Sequence, residues 1–352
     1  MKVHLPVRQA ILDCCTYDPP GEGRANKLRL DFNENTVGCS PAVPRALGTL
    51  STKTLAMYPE YERGTKRIAG HYRVKPEELM LTNGGDDALR VFVDAFVNAG
   101  EPIVICEPTF PMYRYWGKVA GARIEVLHYG ANMEFPLDVA VQVVRERPRV
   151  FYICNPNNPT GTQLQPDVIK TILSEATDTA VVIDEAYAEF SGVTAIPLIR
   201  KYPQLFVVRT FSKVAGLASL RLGAVIGNAS SINTLRRVTA PFPVNLAALV
   251  AAVATVDDRK TMQRYLRDIA RTRNWFEQQL ASIGVKTYPS PCNFLLADFG
   301  PNGPELFQRL LGGGVLLRDR SKDIGPGFAR ISIGTQEEME LLMRTIKRYR
   351  KP

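Results

Sequence analysis

Five short runs of apolar, mostly β-branched residues set the strongest limit on how this chain folds. Residues 103–106, 150–154, 180–183, 205–208 and 222–226 are apolar without alternation, the mark of strands covered on both faces. Helical periodicity fills many of the intervals. Residues 86–98 are apolar on one face and open just after Gly84 and Gly85, and residues 260–283 form a long amphipathic stretch closed by Gly284. Alternation of this kind predicts an α/β fold: a large domain whose mostly parallel sheet is flanked by helices. Pro241 and Pro243 then break the chain, and runs at 293–298, 315–318 and 329–333 with helices around them predict a smaller α/β domain. The expected division is an N-terminal arm over 1–35 joining the small domain, a large domain over 36–243, and a small domain over 244–352.

Composition narrows the function. The 352 residues suffice for two lobes with ordinary cores, and an apolar fraction of 45% with 22% charged residues fits a soluble protein. The longest apolar run, 246–256, is too short to cross a bilayer, so no membrane role is expected. The first fifteen residues carry no export pattern, which makes a cytoplasmic location the default expectation. Six cysteines without CxxC spacing and three histidines argue against a zinc site and against disulfides. The net charge of +9 is spread along the chain and only 344–351 is dense, so nucleic acid is not an expected partner; the surplus instead favours anionic substrates.

The polar residues of interest follow directly on expected strands, where open α/β sheets bind ligands. Residues 155–161 follow one strand, Asp184 and Tyr187 another, and Thr210, Ser212 and Lys213 a third. A lysine can hold a phosphorylated aldehyde as a Schiff base and, once displaced by a substrate amine, shuttle a proton. Asp184 emerges from a buried strand and needs a cationic partner: a protonated pyridine nitrogen serves, as does a helix cap or an internal salt bridge. Asn158 and Tyr187 can hydrogen-bond a ring oxygen or simply shape turns, and Asn158–Pro159 suits a cis peptide. Gly84, Gly85 and Asp86 open a helix whose free N–H groups suit a phosphate, with Ser212 and Arg221 completing the cradle. Phe110 fits a stacking role or a core position equally. Arg330 alternates with apolar residues on a strand of the small domain, where its fork suits a carboxylate, a phosphate or a structural ion pair.

In this order the motifs resemble those of the fold-type I, class I/II aminotransferases that use pyridoxal 5'-phosphate (PLP), and within them the histidinol-phosphate aminotransferases. The resemblance runs from residues 30–35 and 57–60, through Gly84 and Gly85, 157–161, 184–187 and 209–213, to 316–319 and 330–335. Phe110 is followed by proline where the family more often has glycine. The resemblance implies that Lys213 forms the aldimine, Asp184 pairs the pyridine nitrogen, and Asn158 and Tyr187 bond the ring oxygen. It implies a homodimer in which Tyr58 reaches the cofactor phosphate of the neighbouring subunit. It further implies that Arg330 binds the α-carboxylate of the amino donor, with Arg318, Tyr17 and Asn35 among the substrate-binding residues. The reaction so implied is ping-pong transfer between histidinol phosphate, as a small-molecule amino donor, and 2-oxoglutarate, the 2-oxo acid acceptor. Aromatic amino-acid aminotransferases and decarboxylases of phosphorylated amino acids are built on similar chains.

Overall fold

The computed structural model of the chain describes residues 6–14 and 22–350. Twelve strands are formed among them. β1 (Leu28–Leu30) precedes β2 (Leu79–Thr82), β3 (Pro102–Glu107), β4 (Arg123–His128), β5 (Val150–Cys154), β6 (Ala180–Asp184), β7 (Leu205–Thr210) and β8 (Gly223–Gly227). β9 (Lys286–Thr287), β10 (Phe294–Asp298), β11 (Val315–Asp319) and β12 (Phe328–Ser332) complete the set. β2 to β8 make a seven-stranded sheet in the order β2-β8-β7-β6-β5-β3-β4, and β1 joins β9 to β12 in a second sheet ordered β1-β11-β12-β10-β9. In the large sheet only β8 runs against its neighbours, so the expected mostly parallel sheet is present.

Strict alternation along the central strands builds a core on each face. Val104, Phe151, Val181 and Val207 point to one side, onto helices that include Pro166–Glu175. Ile105, Tyr152, Val182 and Val208 point to the other, onto Gly84–Phe96 and Met112–Ala120. With both faces covered, every residue of β5 and β6 is buried, which is why these runs read as continuously apolar. A separate core under the second sheet joins Leu30, Leu295 and Ile331 to Tyr265, Ile269 and Phe276 of the helix Arg259–Ala281.

One helix falls on the other side of the expected division. Leu246–Asp257, placed by the sequence reading in the small domain, buries Ala248, Leu249 and Ala252 in the core of the seven-stranded sheet. Gly64 explains the fit, because a Cβ there would come within 2.6 Å of Leu249. The carboxyl-terminal part of the smaller core starts instead with the helix Arg259–Ala281.

The large sheet also fixes the start of the helix Gly84–Phe96, two residues earlier than periodicity suggested. Gly223, which opens β8, lies against Gly84: a Cβ on Gly223 would meet the Gly84 carbonyl carbon at 2.6 Å and its oxygen at 2.7 Å. Backbone cannot give way as a flexible side chain does. Gly223→Ala is therefore expected to lower stability by roughly 1–3 kcal/mol through overpacking, seen as a reduced urea midpoint with an unchanged slope.

Candidate active site

A cavity of about 460 Å3 opens at the carboxyl edge of the seven-stranded sheet and is lined from both sheets. Asp184 ends β6 and is 6% exposed. Its Oδ2 accepts a 2.7 Å hydrogen bond from the Tyr113 hydroxyl and its Oδ1 accepts from the Ala186 N–H. Among the described residues it has no ion-pair partner. The contrast with its neighbour Glu185, fully buried, is sharp: that carboxylate pairs with Arg209 at 2.7 Å. Burial pushes Asp184 up to about 6, against the opposing pull of the Tyr113 hydroxyl.

Lys213 follows β7 and donates from Nζ to the Phe32 carbonyl at 2.9 Å. Burial, reinforced by the nearby Arg330 charge, brings its amine down to about 8. The Tyr187 ring lies below it, with Nζ 5.7 Å from the ring centroid. Tyr187 is itself buried, its hydroxyl accepting from Asn33 Nδ2 at 2.9 Å and its ring set edge-on to Phe294.

One end of the cavity is a polar cradle. Gly85 and Asp86 line it at the start of the helix Gly84–Phe96, where backbone N–H groups lack intrahelical partners. Thr210 Oγ1 donates to Ser212 Oγ at 3.0 Å, and Arg221 reaches both Ser212 Oγ at 3.4 Å and Asp86 Oδ2 at 3.1 Å. Gly84 sits outside the lining with a φ of +84°, and a Cβ there would fall 2.6 Å from Arg221 Nη2. Glycine is thus needed for conformation, and a larger residue would also push the Arg221 guanidinium out of the cradle.

Phe110 borders the cavity edge-on to Tyr113. Asn158, after β5, is 6% exposed and precedes a cis proline peptide. Its Oδ1 accepts a 2.6 Å hydrogen bond from Arg330 Nη1, while Arg330 Nη2 donates to the Asp31 carbonyl. Arg318 stands directly across the ladder from Arg330, both facing the cavity.

Two of the expected residues lie elsewhere. Asn35 does not line this cavity: its carboxamide donates to the Val214 carbonyl and accepts from the N–H groups of Val37 and Gly38, so it is consumed in shaping its own turn. Tyr58 is 78% exposed and stacks on Phe242 at 4.2 Å, away from the cavity of its own chain. Tyr17 lies outside the described residues. Conversely, sequence reasoning passed over Tyr113, Asn33 and Arg320. Tyr113 had a signal, standing shortly after Pro108 and Thr109 at the end of β3, but an aromatic there reads equally as core.

A large, mostly parallel sheet with a second, smaller sheet, and a lysine and a buried carboxylate at the carboxyl edge, fit an aminotransferase. Residues 25–346 match the family described as aminotransferase class I and II, and the chain belongs to that family. It is 35% identical over 338 residues to the histidinol-phosphate aminotransferase of Geobacillus thermodenitrificans, covering 92% of this chain and 90% of that one. The crystal structure of a putative histidinol-phosphate aminotransferase from Erwinia carotovora atroseptica superposes with a TM-score of 0.85 at 27% identity, over 93% and 96% of the two chains. That of histidinol-phosphate aminotransferase from Sinorhizobium meliloti, in complex with pyridoxal-5'-phosphate, gives a TM-score of 0.90 at 24% identity, over 99% of each. The architecture is that of the fold-type I aminotransferases.

The raised Asp184 sets a pH dependence. With a folded value near 6 against an ordinary 3.8, the ligand-free folded chain holds more protons than the unfolded chain between those values. Asp184 therefore favours folding below about pH 4, an advantage lost as pH rises through about 6. Urea denaturation across this range should show that Asp184→Asn removes this part of the pH slope, whereas Tyr113→Phe, which deletes a bond to the charged form, moves it to higher pH.

Proposed function

We propose that the chain is a PLP-dependent aminotransferase acting on histidinol phosphate and 2-oxoglutarate, yielding imidazole-acetol phosphate and glutamate. The observation that carries this reading is the pairing of opposites in one cavity: a buried carboxylate without an ion-pair partner among the described residues, and a buried amine of lowered basicity. The residues fit the cofactor. Asp184 supplies the counter-ion for a protonated pyridine, and the cradle of Gly85, Ser212 and Arg221 supplies donors for a phosphate. Asn158 and Tyr187 supply hydrogen bonds for the ring oxygen, and Phe110 an apolar face. Bound PLP contributes an aldehyde that takes up amines and a ring that absorbs the electron pair left at the substrate α-carbon.

The remaining chemistry belongs to the protein. Asp184 keeps a ring proton in place by offering a negative charge where water is excluded. Lys213 Nζ, partly neutral near pH 8, takes the proton from the substrate α-carbon and holds it as an ammonium. Arg330, braced by Asn158 and the Asp31 carbonyl, orients a substrate carboxylate through its fork. The 35% identical relative supports the histidinol-phosphate reading over the aromatic amino-acid or decarboxylase alternatives.

A cytoplasmic homodimer belongs to the same proposal. Exposed Leu55, Met57, Tyr58 and Phe242 form an apolar surface suited to a second copy, from which Tyr58 would serve the neighbouring phosphate cradle. Among the described residues no helix is long and apolar enough to cross a membrane.

Absorption spectra of purified protein with PLP test the reaction. Glutamate should convert the cofactor band to that of the amine form, and histidinol phosphate should do so independently; response to aromatic amino acids alone would discard the substrate. Lys213→Ala should keep the fold and lose turnover by at least about a thousandfold, in line with loss of a proton-transferring nucleophile. Full activity in that variant rejects the assignment.

A further inference from the structure

A closed set of hydrogen bonds behind the cavity decides which way one hydroxyl proton points. Asn33 and Ser332 are both fully buried. The Asn33 N–H donates to Ser332 Oγ at 2.8 Å, and the Ser332 hydroxyl donates in return to Asn33 Oδ1 at 2.9 Å. With its oxygen so engaged, the carboxamide turns Nδ2 to the Tyr187 hydroxyl, to which it donates at 2.9 Å. Reversing the amide would set Nδ2 against Ser332 Oγ and take away the one acceptor that the Ser332 hydroxyl has among the described residues. At a buried position that loss is not made good by water.

Both ends of the set are held in place. Asn33 sits at a φ of +54°, a left-handed conformation that asparagine tolerates better than most residues, and its carbonyl accepts from Asn293 Nδ2 at 3.1 Å. Phe294, set edge-on to the Tyr187 ring, stands directly across the ladder from Ser332. The Tyr187 oxygen therefore accepts a hydrogen bond from the side of Asn33, while its own proton has no acceptor among the described residues and the residue lines the cavity. A hydroxyl that accepts a hydrogen bond is polarised by it and becomes a stronger donor to whatever it faces.

We propose that Asn33 is a positioning residue for the cofactor: by filling a lone pair of the Tyr187 oxygen it leaves the Tyr187 proton to the cavity, where it is donated to the ionised ring oxygen and keeps that oxygen charged. This rests on the PLP reading given above, which assigns Tyr187 to the ring oxygen and gives Asn33 no part. A hydrogen bond to a charged form favours that form, so the bound cofactor gives up its proton at a lower pH than it would with Tyr187 unaimed. Ser332 lies two residues beyond Arg330 on β12, so the strand that orients the substrate also fixes the amide that aims the hydroxyl.

The test titrates the absorption band of the PLP-loaded protein with pH, in the absence of substrate. Asn33→Gly keeps the left-handed backbone and removes the carboxamide. It should raise the pH midpoint of the band by roughly 0.4 to 1 unit, the equivalent of one neutral hydrogen bond. Tyr187→Phe should raise it by about 1 to 2 units, as for a bond to a charged group. The double variant should match Tyr187→Phe to within about 0.3 unit, because Asn33 acts through that hydroxyl. An Asn33→Gly midpoint equal to that of the wild type, or a shift that adds in full to that of Tyr187→Phe, overturns the proposal. The same four proteins without cofactor are unfolded in urea: the two single losses should exceed the loss in the double variant when summed, since both remove one bond. Fully additive losses overturn the Asn33–Tyr187 contact itself. If the wild type shows no band with PLP, the cofactor reading fails, and the urea cycle alone then decides whether Asn33 holds Tyr187.

Discussion

The buried carboxylate of Asp184 is the constraint around which the site is organised. Two adjacent acids leave the end of β6 in opposite directions, and the chain treats them differently. Glu185 is neutralised from within, by Arg209. Among the described residues Asp184 receives hydrogen bonds alone, from a tyrosine hydroxyl and a backbone N–H, so its charge is sustained incompletely and its acidity is weakened. A buried ion left in this state costs stability unless a ligand completes it. The fold thus carries an electrostatic deficit that a cationic ring, as proposed for the cofactor, would correct, and binding of such a ring would then be coupled to the stability of the large sheet.

The second sheet supplies what the first cannot. The seven-stranded sheet presents Lys213, Asp184 and the cradle, yet residues 31–33 of the N-terminal segment make the remaining wall. Phe32 gives its carbonyl to Lys213, Asp31 gives its carbonyl to Arg330, and Asn33 holds the Tyr187 hydroxyl. Asn33 is in turn fixed by Ser332 of β12 and by Asn293. One short segment therefore sets the distance between the Lys213 amine and the Arg330 guanidinium. Neither sheet forms that geometry by itself.

The parts of this arrangement differ in how plainly the sequence announces them. The central strands were legible because burial on both faces forces unbroken apolar runs, whereas β4 was not: it lies at the sheet edge and only Leu127 in it is buried. Lys213, Asp184 and Asn158 were legible because they follow those strands. Asn35 misled, since an asparagine in a polar cluster carries the same signature whether it faces a ligand or closes a turn. The helix Leu246–Asp257 misled for a related reason, being apolar all round, so that its periodicity does not say which core it enters. Tyr113 was hidden because its role depends on what lies opposite in space, the carboxylate of Asp184.

The pairing of β1 with β11 has a consequence for how the molecule is made. Leu28 meets Val315, so β1 waits for a partner strand made far later in synthesis. By the time residue 257 has emerged, every strand and packing helix of the large sheet is available, and that unit can fold while the segment bearing Phe32 and Asn33 still has no partner. The newborn chain consequently holds an open platform that displays Lys213 before the wall opposite it exists. The cavity closes only when β11 and β12 arrive, so its completion reports that both sheets have formed.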